Sequence, residues 1–151
     1  MNVSQLMTRK LITVSVKDSV ETAVRLLRQR GVRHLLVLDG RRLVGIISDR
    51  DINRALDRRR TKKKVMNLGG LYFLLEPFIV AEIMTRDVVS VEPEVSAQEA
   101  ASIMVDNRFG ALPVVKNDKL VGIITETDLL CYFARSTRDQ APSKGRKPDE
   151  K

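Results

Sequence analysis

A nine-residue segment, Leu43-Val44-Gly45-Ile46-Ile47-Ser48-Asp49-Arg50-Asp51, occurs twice in the chain. It returns 77 positions later as Leu120-Val121-Gly122-Ile123-Ile124-Thr125-Glu126-Thr127-Asp128. The same offset aligns Met7-Thr8-Arg9 with Met84-Thr85-Arg86 without a gap. Matches of this density over about fifty residues of each half predict a tandem repeat of one α/β unit.

The composition is typical of a small globular protein. The chain has 151 residues, of which 43% are hydrophobic, so we expect the two repeats to share one core. We expect neither a leader peptide nor a membrane segment, because every apolar stretch is shorter than the roughly 20 residues that a span needs. A single cysteine, Cys131, is consistent with the reducing cytoplasm, and one His with one Cys predicts no metal site.

The net charge of +8 is unevenly distributed. Residues 54–64 carry seven basic side chains and one acidic side chain, and the tail 136–151 has a smaller basic excess. The remainder is close to neutral, which argues against a broad nucleic-acid-binding face. A nucleic-acid-associated protein that uses segment 54–64 nevertheless remains an alternative.

Hydrophobic periodicity predicts the same elements in each repeat. In the first, we expect strands at 11–16, 35–38 and 43–47, a helix at 19–30 that ends at Gly31, and a helix over about 51–59. In the second, we expect strands at 88–91, 112–115 and 119–124 and helices at 97–107 and 127–134. The polar tail 136–151 is predicted to be disordered.

An insertion, residues 59–79, separates the repeats. Its apolar part, 65–75, is interrupted by Gly69-Gly70 and contains Tyr72 and Phe73. One interpretation is a linker helix packed on the shared core, and the other is an exposed apolar patch that binds a second subunit.

The repeated segment also has the chemistry of a nucleotide site. Thr125 stands where a strand meets a helix, and Asp128 follows in the first helical turn. Free backbone N–H groups at a helix start favour a phosphate, and a carboxylate can accept hydrogen bonds from a ribose diol. The alternative is ordinary helix capping, in which Ser or Thr and Asp satisfy the same N–H groups. The presence of two copies favours a function.

These motifs resemble those of a tandem pair of CBS domains, the cystathionine β-synthase regulatory module. The resemblance rests on Met7-Thr8, Met84-Thr85, Leu112-Pro113-Val114-Val115 and the two Gly-Ile-Ile segments, and covers residues 3–58 and 80–135. The long insertion also resembles that of stand-alone pairs grouped with acetoin-utilisation proteins. The family implies two β-α-β-β-α repeats with two clefts that bind AMP, ADP, ATP or S-adenosylmethionine.

The resemblance also implies roles for individual residues. Asp51 and Asp128 would hold ribose hydroxyls, Ser48 and Thr125 would meet phosphate or ribose, and Thr13 and Ser90 would line the adenine pocket. The apolar wall would be made by Leu35, Val37, Ile46, Leu112, Val114 and Ile123.

The repeats differ at positions that bear on the clefts. The second repeat has the family's prolines, Pro93 and Pro113, and Pro113 is included among the predicted site residues. The first has Val16 and Leu36 in their places, so we expect its backbone to be less fixed.

Cations distinguish the first cleft. Arg33, His34 and Arg50 are predicted to converge there on a polyphosphate, and Arg108 lies close to the corresponding positions of the second repeat. We therefore expect a cytoplasmic, homodimeric regulatory module that senses an adenine nucleotide and acts on an unidentified protein, and not an enzyme. A structural dimerisation module with degenerate clefts remains a further alternative.

Overall fold

Each repeat forms a small sheet covered by helices. The computed structural model describes residues 1–57, 65–68, 71–74 and 78–139. The first repeat contains α1 (Val3–Leu6), β1 (Thr13–Ser15), α2 (Val20–Arg30), β2 (His34–Asp39), β3 (Arg42–Ser48) and α3 (Asp49–Leu56). Strands β4 (Val65–Leu68) and β5 (Leu71–Leu74) follow. The second repeat contains α4 (Val80–Ile83), α5 (Ala97–Asn107), β6 (Ala111–Lys116), β7 (Lys119–Thr125) and α6 (Glu126–Asp139).

The sheets have related topologies. Strand β1 pairs in parallel with β2, which pairs antiparallel with β3, and β6 pairs antiparallel with β7. The predicted α/β class is therefore confirmed. Helix α2 ends as predicted at Gly31, which has a positive φ of 62° and whose N–H donates to the Leu27 carbonyl.

The predicted strand at 88–91 is reduced to a single bridge between Val91 and Val114. In the first repeat, the Leu36 N–H donates to the Ile12 carbonyl and the Val16 N–H donates to the Leu38 carbonyl, at 3.3 and 2.9 Å. The matching residues of the second repeat are Pro113 and Pro93, which have no N–H to donate.

The same hydrogen bonds distinguish the two repeats. Val16 and Leu36 supply N–H groups that tie β1 to β2. This repeat consequently has a three-stranded sheet where the other has two strands.

The core consists of two interleaved clusters, in place of the single core that we expected. The first cluster contains Leu35 and Ile47 together with Val80 and other residues from the start of the second repeat. The second contains Leu112 and Ile124 together with Val3 from the start of the chain. Each repeat thus contributes its opening helix to the core of the other, which locks the repeats together.

The repeated glycine makes room for this exchange. A Cβ atom at Gly45 would lie 2.7 Å from the Thr85 carbonyl oxygen, and one at Gly122 would lie 3.0 Å from that of Thr8. Thr85 and Ile46 exchange two backbone hydrogen bonds, of 2.8 and 3.0 Å. These bonds hold the segment around Met84 and Thr85, called the crossing segment because it passes from the second repeat over β3, close to that strand. The glycine in the Gly-Ile-Ile motif is therefore needed for packing between repeats.

The insertion contains a hairpin, so the predicted linker helix is wrong. Strands β4 and β5 are antiparallel, with Leu68 opposite Leu71. The sequence between them, Gly69-Gly70, is a known hairpin signal that the helical interpretation overlooked.

Helix α6 is longer than predicted. It continues to Asp139, past the expected end at 134 and into the segment expected to be disordered. The Ser136 and Thr137 hydroxyls donate to the carbonyls of Tyr132 and Phe133, at 2.9 and 3.1 Å. These side chains find partners within the helix, as Ser and Thr can. The remainder of the predicted disordered tail, 140–151, lies outside the described residues.

Candidate ligand-binding site

The hydroxyl and carboxylate of each motif form a helix cap. The Ser48 N–H and hydroxyl both donate to Asp51 Oδ2, at 2.8 and 3.0 Å, and the Asp51 N–H donates to Ser48 Oγ at 3.2 Å. Thr125 and Asp128 repeat this arrangement at 2.8, 2.9 and 3.3 Å. The capping alternative is thus observed, and it also fixes the orientation of both carboxylates.

The caps leave the second carboxylate oxygens in different states. Asp51 Oδ1 accepts from the Thr85 hydroxyl at 3.3 Å, which is a long hydrogen bond. Within the described part of the chain, no hydrogen bond to Asp128 Oδ1 is found. Asp128 is therefore the carboxylate with an open acceptor.

Cleft 1 is a cavity of about 180 Å³ beside the start of α3. The segment that opens the second repeat and the loop before β6 complete its walls. Its lining residues come from both repeats: Arg33, His34, Ile46, Ser48, Asp49, Arg50, Asp51, Arg54, Thr85, Val88, Val89, Arg108, Phe109, Gly110, Ala111 and Glu126.

Cleft 2 is the counterpart beside the start of α6 and measures about 420 Å³. Its walls are Thr8, Lys10, Ile12, Arg30, Gly31, Val32, Arg33, His34, Leu36, Ile123, Thr125, Thr127 and Asp128. Many of these residues match a cleft 1 residue 77 positions later or earlier, such as Thr8 with Thr85 and Ile123 with Ile46.

The clefts differ in charge. Cleft 1 has four arginines, among them Arg50 and Arg108, against three carboxylates. Cleft 2 has Lys10, Arg30 and Arg33 against Asp128. Arg33 Nε lies 3.1 Å from Asp49 Oδ2, with both side chains largely exposed, so this ion pair can exchange its partner at little cost.

His34 lies at the boundary between the clefts. Burial lowers its pKa below the usual value, against the opposing effect of the carboxylates Asp49 and Glu126. A negatively charged group placed beside the ring would favour the protonated form.

Three predicted site residues line neither cleft. Thr13 and Ser90 are both exposed, and Ser90 lies in a separate groove. Pro113 is almost completely buried. The neighbouring residues Ile12 and Val89, which lie outside the regular strands, line the clefts instead.

The predicted apolar wall is wrong for four residues. Leu35, Val37, Leu112 and Val114 lie completely buried within the two core clusters. The other two, Ile46 and Ile123, do line the clefts.

The alternation of side chains along a strand explains why the wrong residues of β2 were assigned to the cleft wall. Leu36 lies between two core residues of β2 and therefore faces cleft 2.

Several lining residues were missed from the sequence. Thr8 and Thr85 belong to the repeated Met-Thr-Arg motif, which was used only to define the repeat. Lys10 and Arg30 had no sequence signal, because they belong to the first repeat and reach cleft 2, beside the start of α6, only through the packing of one repeat against the other.

An apolar groove of about 530 Å³ adjoins cleft 1 on the face of α5 and α6. It is lined in part by Val105, Leu130 and Phe133, which are 75%, 67% and 45% exposed. Arg50, Arg108 and Glu126 line both this groove and cleft 1.

Two kinds of feature are absent from the described residues. No helix there is long and apolar enough to cross a membrane, and no group of three metal-ligating side chains occurs there. Most of the basic segment 54–64 lies outside the described residues, beginning at residue 58.

Comparison with known proteins identifies the architecture. The model of the CBS domain matches residues 3–58 and again 80–135. An inosine-5′-monophosphate dehydrogenase from Korarchaeum cryptofilum is 39% identical over 135 residues, which are 87% of this chain and 25% of that protein. The chain therefore spans about a quarter of that relative's length.

Solved structures are similar over nearly their whole length. The CBS domain pair of protein MJ0100, in complex with 5′-methylthioadenosine and S-adenosyl-L-methionine, has a TM-score of 0.74 and 25% identity over 90% of this chain and 98% of that one. CBSX2 in complex with AMP has a TM-score of 0.67 and 28% identity, covering 91% and 98%. A putative acetoin utilization protein from Vibrio cholerae has a TM-score of 0.74 and 30% identity, covering 93% and 96%.

Proposed function

This chain belongs to the CBS domain family, and we propose that it is a regulatory module that binds an adenosine-containing ligand in the clefts between its repeats. The ligand would be AMP, ADP, ATP or S-adenosylmethionine. In this proposal the chain carries out no catalysis and acts by changing shape when the ligand binds. The complexes of MJ0100 and CBSX2 with such ligands support this choice of chemistry.

One observation carries the proposal. Each cleft contains a carboxylate that its helix cap holds through Oδ2, beside the N-terminus of a helix. The other oxygen of Asp128 is open and can accept from ribose hydroxyls, while the partial positive charge of the helix start favours phosphate.

Cleft 2 is expected to bind first. Its volume of about 420 Å³ lies within the range of roughly 300–1,000 Å³ that is usual for small-ligand sites, whereas cleft 1, at about 180 Å³, lies below it. Ile12, Leu36 and Ile123 give cleft 2 an apolar wall for the base. Cleft 1 offers more arginines, which suits a longer phosphate chain after the cleft opens.

Homodimerisation is part of the proposal. Val105, Leu130 and Phe133 expose apolar surface on α5 and α6, and burying it against a second copy would be favourable. The groove shares residues with cleft 1, so ligand binding and subunit contact can influence one another. A further protein would respond to the resulting change in shape.

Calorimetric titration tests this function. AMP, ADP, ATP and S-adenosylmethionine are titrated into the wild type, Asp51→Asn and Asp128→Asn. Asparagine keeps one oxygen for the helix cap but replaces the other with an NH₂ donor, so the fold is kept while diol recognition is lost. Micromolar binding of at least one ligand, weakened most by Asp128→Asn, supports the proposal, and no binding of any of the four to the wild type refutes it.

A further inference from the structure

Two residues with basic side chains line both clefts. Among the described residues, Arg33 and His34 are the ones that line both cleft 1 and cleft 2. The residues 77 positions later, Gly110 and Ala111, have no side chain that can donate a hydrogen bond. Arg33 and His34 are therefore a single pair of side chains that serves both clefts, because the second repeat has no equivalent pair.

The position of His34 explains why it reaches both sides. In β2 it stands opposite Ser48, the capping residue of cleft 1. Its ring also lies against the second repeat, because a Cβ atom at Gly110 would be 2.9 Å from His34 Nε2. Glycine at residue 110, where the first repeat has Arg33, leaves the space that the imidazole occupies.

Charged groups face the imidazole from several elements. Asp49 and Asp51 belong to α3, Glu126 begins α6, and Arg33 precedes β2. The Arg33 guanidinium donates to Asp49 at 3.1 Å in the free protein. A phosphate would compete with Asp49 for Arg33 and would favour a proton on His34.

We propose that Arg33 and His34 form a shared phosphate contact, so that a phosphate-bearing ligand in one cleft weakens the binding of a second phosphate-bearing ligand in the other cleft. This inference rests on the proposed function. Two phosphates near the boundary repel each other, and the single Arg33–His34 pair must divide its positive charge between them. The coupling must be reciprocal, because binding free energies are linked.

The test compares AMP with adenosine, which has the same base and ribose but no phosphate. Calorimetry on the wild type should give two unequal steps for AMP. The Asp128→Asn substitution disables cleft 2 and leaves cleft 1 as the working site. The AMP affinity of cleft 1 in this variant should be roughly tenfold higher than the affinity of the second binding step in the wild type. A tenfold change in affinity is a typical size for coupling between two sites. Adenosine should show no such difference.

A variant that copies the second repeat supplies the control. Arg33→Gly with His34→Ala should weaken AMP binding and remove the coupling, so the affinity of cleft 1 no longer depends on cleft 2. Titrations in buffers of different ionisation enthalpy should show proton uptake with AMP in the wild type but none in His34→Gln. Loss of uptake in that variant identifies His34 as the group that titrates.

The outcomes are distinguishable. If AMP fills two sites and disabling one leaves the affinity of the other unchanged, the coupling is refuted while the proposed function stands. Tighter binding at the second step would also refute it. If the wild type binds none of AMP, ADP, ATP and S-adenosylmethionine, the proposed function and this inference fail together. If it binds S-adenosylmethionine alone, only this inference fails.

Discussion

Replacing Gly45 by alanine should destabilise the protein by forcing the repeats apart. The new Cβ would lie 2.7 Å from the Thr85 carbonyl oxygen, well inside contact distance. That oxygen cannot move freely, because it accepts the Ile46 N–H at 3.0 Å while the Thr85 N–H donates to Ile46 at 2.8 Å. Overpacking of this kind costs about 1–3 kcal/mol, and the lower entropy of the unfolded alanine chain offsets at most about 1 kcal/mol.

The net loss should be about 1–2 kcal/mol, measured as a lower urea midpoint with an unchanged slope. Gly110→Ala is the matched control, because its Cβ would meet the tip of the His34 side chain and, at an ordinary contact distance of 3.7 Å, the end of the Glu126 side chain, and no backbone atom is among these contacts. It should therefore change the unfolding free energy by less than about 0.5 kcal/mol. Equal effects of the two substitutions would refute the claim that Gly45 is needed for close passage of the crossing segment.

Three other predictions concern single side chains. Ser48→Ala removes the cap hydroxyl and should cost about 0.5–2 kcal/mol of unfolding free energy in urea titrations, so an unchanged midpoint would contradict this role. Because burial lowers the pKa of His34 in the folded chain, the unfolded chain takes up the proton first as pH falls below about 6.5. The unfolding free energy of the wild type should therefore fall more than that of His34→Gln between about pH 7.5 and 5.5. Equal losses in the two proteins would contradict the lowered pKa of His34. Leu130→Glu should shift the protein toward monomer in light scattering at micromolar concentration. Asn53→Glu, at the matching position of the first repeat, should not. A dimer unaffected by Leu130→Glu would rule out the α5–α6 face as the dimer interface.

The repeat made most of the fold predictable. Sliding the chain by 77 residues aligned the helices and the paired strands β2–β3 and β6–β7 of the two repeats, and turn signals such as Gly31 placed helix ends to within a few residues. The exchange of opening helices was not predictable, because it depends on contacts between residues far apart in sequence.

The capping pairs were predicted correctly, whereas most of the predicted apolar wall was not. Ser48 with Asp51 and Thr125 with Asp128 were identified from local chemistry, and each pair does lie at the start of a helix beside a cleft. The apolar wall failed because both faces of β2 are hydrophobic, so composition did not show which face meets the cleft. In a strand, an error of one residue reverses the face.

The most direct test of the central claim asks whether the two carboxylates recognise the ribose diol. Calorimetry would compare AMP with 2′,3′-dideoxy-AMP on the wild type and on Asp51→Asn with Asp128→Asn, after circular dichroism has shown that the double variant is folded. Hydrogen bonds to a charged group contribute about 1.5–3 kcal/mol, so the wild type should prefer AMP by about 10- to 100-fold and the variant should show no preference. A wild type that binds both ligands equally, or a variant that keeps the full preference, would contradict the assignment of Asp51 and Asp128 as the ribose-binding residues.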